Sequence, residues 1–261
     1  MNLKYLLGAI ISAPLLPILY FQGRKIRASV PQLPEASGIE GEIIFKTGST
    51  KSLTMLTIGE STIAGVGVHT HQEGFTGTLA NELSILFETN VKWKVYARSG
   101  YTAKQVSDKI ISNISESHAD LLVIGLGGND AFTLNSPKRW RKHIEELVQT
   151  IREKFPNSAI VFCNMPPIKA FPAFTPLIKF VIGNLVEILG DELDMKIQGH
   201  KNVFYFNERI TIADWINRLG IKVEKADFFS DGVHPSKLTY QTWALDVARK
   251  ISSKEILKKK Y

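Results

Sequence analysis

From residue 53 onward, short apolar runs alternate with stretches whose apolar residues recur every three or four positions. That alternation predicts parallel strands, each followed by an amphipathic helix. Residues 53–58 and 91–96 read as strands, with Leu79, Leu83, Leu86 and Phe87 at helical spacing between them. Thr102 and Gln105 form a T-x-x-Q capping box that opens a helix carrying Val106, Ile110 and Ile114. Residues 121–126 are a continuous apolar run bounded by glycine, the clearest strand in the chain. Ser136-Pro137 starts a helix with the stripe Trp140, Ile144, Leu147, Val148 and Ile151. Residues 159–163 and 203–206 complete five strands, with a long helix from Leu177 to about Leu193 between them. A last helix begins beside Pro235 and carries Tyr240, Ala244, Val247 and Ile251. The expected fold is α/β: a three-layer α/β/α sandwich on a five-stranded, mostly parallel central sheet.

The N-terminus follows a different pattern. No charge falls between Lys4 and Arg24, and residues 5–21 are almost wholly apolar. A membrane-spanning helix needs roughly 20 such residues, with about 17 as the lower limit. Pro14 and Pro17 lie inside the run and kink or break a helix there. A cleaved signal peptide needs small residues at its cleavage site, whereas Gln22-Gly23-Arg24-Lys25-Ile26-Arg27 follows. An uncleaved anchor is the better reading. Residues 30–41, with Pro31, Pro34 and Gly38, read as a linker, which divides the chain into a membrane anchor with linker (1–37) and one globular domain (38–261). Arg24, Lys25 and Arg27 outweigh Lys4, so the positive-inside rule places the domain on the cytoplasmic side, with the periplasmic or extracellular side as the alternative. The two prolines also allow a segment that enters one leaflet and returns, held by the same basic residues against anionic head groups.

Composition narrows the field. The chain has 261 residues, 44% hydrophobic and 22% charged, which excludes a disordered protein. A single cysteine, Cys163, excludes an intrachain disulfide framework. A net charge of +7 suits an anionic membrane surface as well as nucleic acid, and no nucleic-acid motif is present.

In open α/β sheets ligands bind beyond the carboxyl ends of the strands. There the sequence sets Gly59-Glu60-Ser61-Thr62, Arg98-Ser99-Gly100 and Gly127-Gly128-Asn129-Asp130, and before the last helix Asp231-Gly232-Val233-His234-Pro235. Together these supply a hydroxyl, a backbone donor beside glycine, a side-chain amide and an Asp/His pair, the set that acyl transfer at an ester requires. The G-x-G-x-x-G dinucleotide pattern is not met, because Gly125-Leu126-Gly127-Gly128-Asn129-Asp130 ends in Asp.

These four blocks, in this order, resemble those of the SGNH hydrolases, the GDSL-type esterase/lipase family, over nearly the whole globular domain. The resemblance implies the flavodoxin-like fold of that family and a serine hydrolase acting on carboxylic esters without metal or organic cofactor. It assigns Ser61 as nucleophile, His234 as base and Asp231 as the residue that orients it. Ser61, Gly100 and Asn129 are then the oxyanion hole. Two positions depart from the family pattern: Glu60 stands where Asp is usual, and Arg98 where Asn is frequent. The substrate is a small-molecule or lipid ester, with O-deacetylation of a glycan as the rival within enzymes. A catalytically silent, membrane-tethered binding domain is the rival outside them. His69 and His71 invite a metal, but no third ligand stands at suitable spacing. The apolar stretch 164–180 is expected to be part core and part acyl-pocket wall.

Overall fold

The structure is a computed structural model that describes residues 2–45, 50–220 and 222–257. Six strands, β1 (Glu40–Ile43), β2 (Ser52–Gly59), β3 (Asn90–Ala97), β4 (Leu121–Gly125), β5 (Ala159–Phe162) and β6 (Val203–Tyr205), form one sheet in the order β1-β3-β2-β4-β5-β6. Every pairing from β3 to β6 is parallel, and β1 runs antiparallel to β3. The sheet thus has six strands rather than the expected five. The additional strand lies partly in the stretch read as linker. Its sequence Glu-Gly-Glu-Ile carries two exposed charges in four residues, a composition suited to a protected edge and nearly invisible as a hydrophobic signal.

The helices are α1 (Leu3–Ser12), α2 (Leu16–Ser29), α3 (Phe75–Phe87), α4 (Ala103–Lys109), α5 (Gly128–Phe132), α6 (Pro137–Lys154), α7 (Pro176–Ile197), α8 (Ile212–Leu219) and α9 (Lys237–Ser253). Strand alternation divides the core between the two faces of the sheet. Leu56, Ile58, Leu122 and Ile124 face α4, α6 and α7, while Met55, Leu121, Val123 and Val161 face α3 and α9. Helix α4 opens on the Thr102/Gln105 capping box, and Ser136 caps α6 ahead of Pro137. Helix α8 has no counterpart in the sequence reading. It is eight residues long and buries only Ile212 and Trp215, too short a stripe to register as a period.

Register fixes where the loops emerge. Gly59 pairs with Gly125 on one side and with Ala97 on the other, so the ends of β2, β3 and β4 lie level. Residues 60–61, 98–100 and 126–129 therefore leave the sheet side by side.

Residues Leu3–Ser29 are long and apolar enough to serve as a membrane anchor or a signal sequence. A 3-10 turn at Ala13–Leu15 separates α1 from α2, at Pro14 and just before Pro17. The pair lies antiparallel along α7. Asn2 Nδ2 donates to Glu192 Oε1 (2.8 Å) toward one end, and Thr175 Oγ1 donates to Gln22 Oε1 (2.6 Å) at the other. Tyr5 and Leu19 pack against the core between these bonds, and Ile26 packs against it beyond Gln22.

Residues 35–37 join the domain directly. Ala36 is buried and its N–H donates to Ala64 O (2.9 Å), and Ser37 forms a β-bridge with Thr70. The Glu35 carboxylate accepts from Ser99 N (2.7 Å) and pairs with Arg98.

Candidate active site

Ser61 follows the last residues of β2 in a turn that the chain closes on itself: Ile63 N and Ala64 N both donate to Glu60 O (3.0 and 2.8 Å). Among the described residues the Ser61 hydroxyl has no hydrogen-bond partner, so its lone pairs and proton remain available. Its side chain is half-buried.

Glu60 organises the neighbouring loop. It is 4% exposed, and its two carboxylate oxygens accept from Gly128 N (2.9 Å) and Asn129 N (3.0 Å). One side chain thereby ties the residue before Ser61 to the backbone of Asn129. Asn129 Nδ2 donates to Tyr101 O (3.0 Å), which brings it next to Gly100, and its amide also faces the Glu60 carboxyl. Asp130 holds the far side, accepting from Ala103 N and Asn135 Nδ2 (both 2.8 Å).

Two glycines make these loops possible. Gly100 has φ +84°, and Gly127 has φ +120° with Met165 Cε 2.5 Å from where a Cβ would stand. Among the described residues neither Ser61 N–H nor Gly100 N–H donates to a protein acceptor. Two backbone donors are thus unspent at the level ends of β2, β3 and β4.

The Asp231–His234 turn supplies the other half. His234 Nδ1 lies 2.7 Å from Asp231 Oδ2, while Asp231 Oδ1 accepts from His234 N (2.6 Å) and Val233 N (2.9 Å). The Asp231 side chain is fully buried. Burial alone raises its pKa, but the bonds from the His234 ring and the two backbone N–H groups outweigh this and hold it below the usual carboxylate range. An ionised Asp231 only accepts, so the Nδ1 proton faces it, and it is Nε2 that carries the lone pair of the neutral ring. Tyr240 OH donates to Val66 O (2.8 Å), and Pro235 O approaches Gly67, which seats this turn against the loop that follows Ser61. No Ser61–His234 hydrogen bond is present among the described residues; such contacts commonly tighten only when substrate is bound.

The structure therefore pairs Asp231 with His234 directly and gathers Ser61, Gly100 and Asn129 through Glu60 and Tyr101. The sequence reading kept Glu60 outside the site and gave it no partner. An acidic residue ending an otherwise apolar strand was the one signal that it is used inside. Arg98, the second departure, pairs with Glu35. His69 and His71 do not converge: His69 is exposed, and His71 is buried against Gly65, where loss of water lowers its pKa to about 4. Among the described residues no group of three or more His, Cys, Asp or Glu comes together as a metal centre.

Phe171 and Phe174 are buried, and Phe132, Phe174, Phe171 and Phe229 form a row with ring centroids 5.3, 5.4 and 5.2 Å apart. The row runs from three residues after Asn129 to two residues before Asp231. A cavity of about 630 Å³ lies elsewhere, between α7 and the segments at 165–170 and 205–213, and it includes neither Ser61 nor His234.

Glu60 carries an expected pH signature. Burial raises its pKa from 4.5 to about 7 against the lowering effect of the Asn129 and Gly128 bonds. A carboxyl with that difference binds more protons folded than unfolded, so its contribution to stability is full below about pH 4.5 and lost as the pH climbs through about 7. Glu60→Gln removes this dependence and puts an NH₂ group opposite one of the two backbone donors. The melting temperature of the variant should fall less between about pH 5 and pH 8 than that of the parent. Its kcat for an ester should drop by about 10–100-fold with little change in KM, because the Asn129 loop is displaced. An unchanged pH dependence of melting would remove Glu60 as the titrating group.

A parallel sheet with a free serine hydroxyl, an Asp/His pair and unspent amide donors at its strand ends has the make-up of a hydrolase. A family model described as GDSL-like Lipase/Acylhydrolase family matches residues 57–242, from within β2 into α9. The chain belongs to this family. The solved structure described as TesA is similar with a TM-score of 0.54 at 20% identity, covering 79% of this chain and 98% of that one. Phospholipase A1 from Streptomyces albidoflavus NA297 gives 0.53 at 16%, over 76% and 98%. A family 3 carbohydrate esterase from Clostridium thermocellum gives 0.52 at 17%, over 77% and 100%. At these identities the likeness shows the fold. No curated protein matches the chain.

Proposed function

We propose that the protein hydrolyses carboxylic esters of acyl chains through an acyl-Ser61 intermediate. The Asp231–His234 pair, in a turn seated against the loop that follows an unengaged Ser61 hydroxyl, carries this reading. In the first half-reaction Ser61 Oγ bonds to the ester carbonyl carbon as its proton passes to His234 Nε2. The carbonyl oxygen becomes an oxyanion and meets Ser61 N–H, Gly100 N–H and the Asn129 amide, each donor contributing about 3–4 kcal/mol to the transition state. Collapse breaks the bond to the alkoxy oxygen, which leaves as the alcohol with the proton from His234. In the second half-reaction water attacks the acyl carbon and gives its proton to His234. The carboxylic acid departs, and the proton returns to Ser61. Asp231 stays ionised throughout and stabilises the imidazolium.

The Phe132–Phe229 row supports an acyl chain over a sugar as the group flanking the scissile bond. The test is a panel of p-nitrophenyl esters from acetyl to dodecanoyl, together with acetylated xylan, assayed on the full chain in detergent. kcat/KM is expected to rise with chain length by about tenfold per few methylenes, at about 0.8 kcal/mol for each one buried. Release of acetate from xylan without turnover of longer esters would move the protein to glycan deacetylation. No turnover on either arm would overturn the hydrolase reading.

A further inference from the structure

The N-terminal helices have two different faces. Tyr5, Ser12, Leu19 and Ile26, one every seven residues, are half-buried toward the domain together with Leu15 and Gln22. The polar members of this face are used: Gln22 bonds the cap of α7, and Asn2 bonds Glu192. The opposite face presents Leu3, Leu7, Ile10, Ile11, Ile18 and Phe21, each more than half exposed. Bonds at both ends hold the segment lengthwise on α7, whose own surface carries Lys179, Glu187, Asp191 and Lys196. A helix fixed in that way cannot stand across a bilayer unless this charged surface enters the bilayer with it.

The catalytic domain adds apolar surface alongside these helices. Leu134 and Phe180, 44% and 50% exposed, line a groove of about 310 Å³ with Tyr5, Ala9 and Leu16. Leu134 holds φ +53°, a left-handed conformation that a leucine adopts at a cost, with its side chain still in the open. Phe132, two residues earlier and 43% exposed, begins the aromatic row that ends beside Asp231. Arg24, Lys25 and Arg27 stand exposed at the end of the helical segment, where they complement anionic head groups.

We infer that α1 and α2 lie in the plane of an anionic lipid surface, and that with Leu134 and Phe180 they form one docking face from which a lipid ester enters the site along Phe132. The entry route rests on the hydrolase reading; the docking face does not.

The experiment uses the full chain on vesicles of phosphatidylcholine and on vesicles of equal parts phosphatidylcholine and phosphatidylglycerol. Leu7→Cys and Ile18→Cys are each labelled with a fluorophore, and depth is read by quenching from nitroxide lipids; the native Cys163 is buried. Equal, shallow depths and tighter binding to the anionic vesicles are expected. A spanning helix would place the two labels about 16 Å apart in depth, at 1.5 Å per residue, and would overturn the docking face. The second arm is Leu134→Ser combined with Phe180→Ser. Hydrolysis of an ester embedded in the vesicles should fall about tenfold or more, consistent with two exposed apolar side chains lost from the lipid, while p-nitrophenyl acetate turnover stays at the parent rate. An undiminished rate on the embedded ester would overturn the entry route. If the parent cleaves neither substrate, the hydrolase reading and the route fall together, and the depths alone decide the face.

Discussion

Ser61→Ala is expected to abolish covalent labelling by a fluorophosphonate probe and to lower ester turnover by on the order of 10⁴–10⁶-fold. The substitution removes one oxygen from a half-buried position where it has no protein partner among the described residues, so no buried donor or acceptor is orphaned. Thermal melting of the variant should therefore stay within a degree or two of the parent, on the scale of a surface change of under about 0.5 kcal/mol. Labelling and melting measured on the same preparation separate a lost nucleophile from a lost fold. Undiminished labelling would show that another side chain reacts.

Asn129→Ala should lower kcat by about 10²–10³ with KM nearly unchanged, the pattern of an interaction made only in the transition state. The geometry makes this substitution unusually clean. Asn129 is held through its backbone N–H by Glu60, and its carbonyl accepts from Thr133 Oγ1 (2.9 Å), so the loop keeps both anchors when the amide is removed. What disappears is the side-chain amide, with its bond to Tyr101 O. Steady-state kinetics on one soluble ester decides the matter: a large rise in KM with kcat preserved would make Asn129 a substrate-binding group.

The parts of this molecule that could be read from the chain are those whose partners lie close in sequence or repeat with a period. Strands β4 and β5 announce themselves as continuous apolar runs, because a strand covered on both faces needs apolar residues at every position, whereas β3 shows as Val91, Trp93 and Val95 alternating with lysines. Asp231 and His234 are three residues apart and close their own turn, so their pairing is local information. Glu60 behaves differently. Its partners are backbone N–H groups 68 and 69 residues away, and no side chain at the far end marks the bond. Strand β1 was missed for a related reason: its stability comes from pairing with β3, and its own side chains are mostly exposed. Asn2 and Gln22 stand just outside the apolar run of residues 5–21, and nothing near them in the chain marks Glu192 and Thr175 as their partners.

The bonds made by residues 35–37 bear on where the apolar segment can be severed from the enzyme. Hydropathy alone invites a cut at residue 37, just after the prolines. Glu35 nevertheless occupies Ser99 N–H, one residue from Gly100, and Ala36 fills the space beside Gly65 in the loop that follows Ser61. A chain trimmed at 37 would be soluble at the expense of the two loops that frame its nucleophile. A chain trimmed before Pro34 would shed the greasy helices and keep both loops pinned.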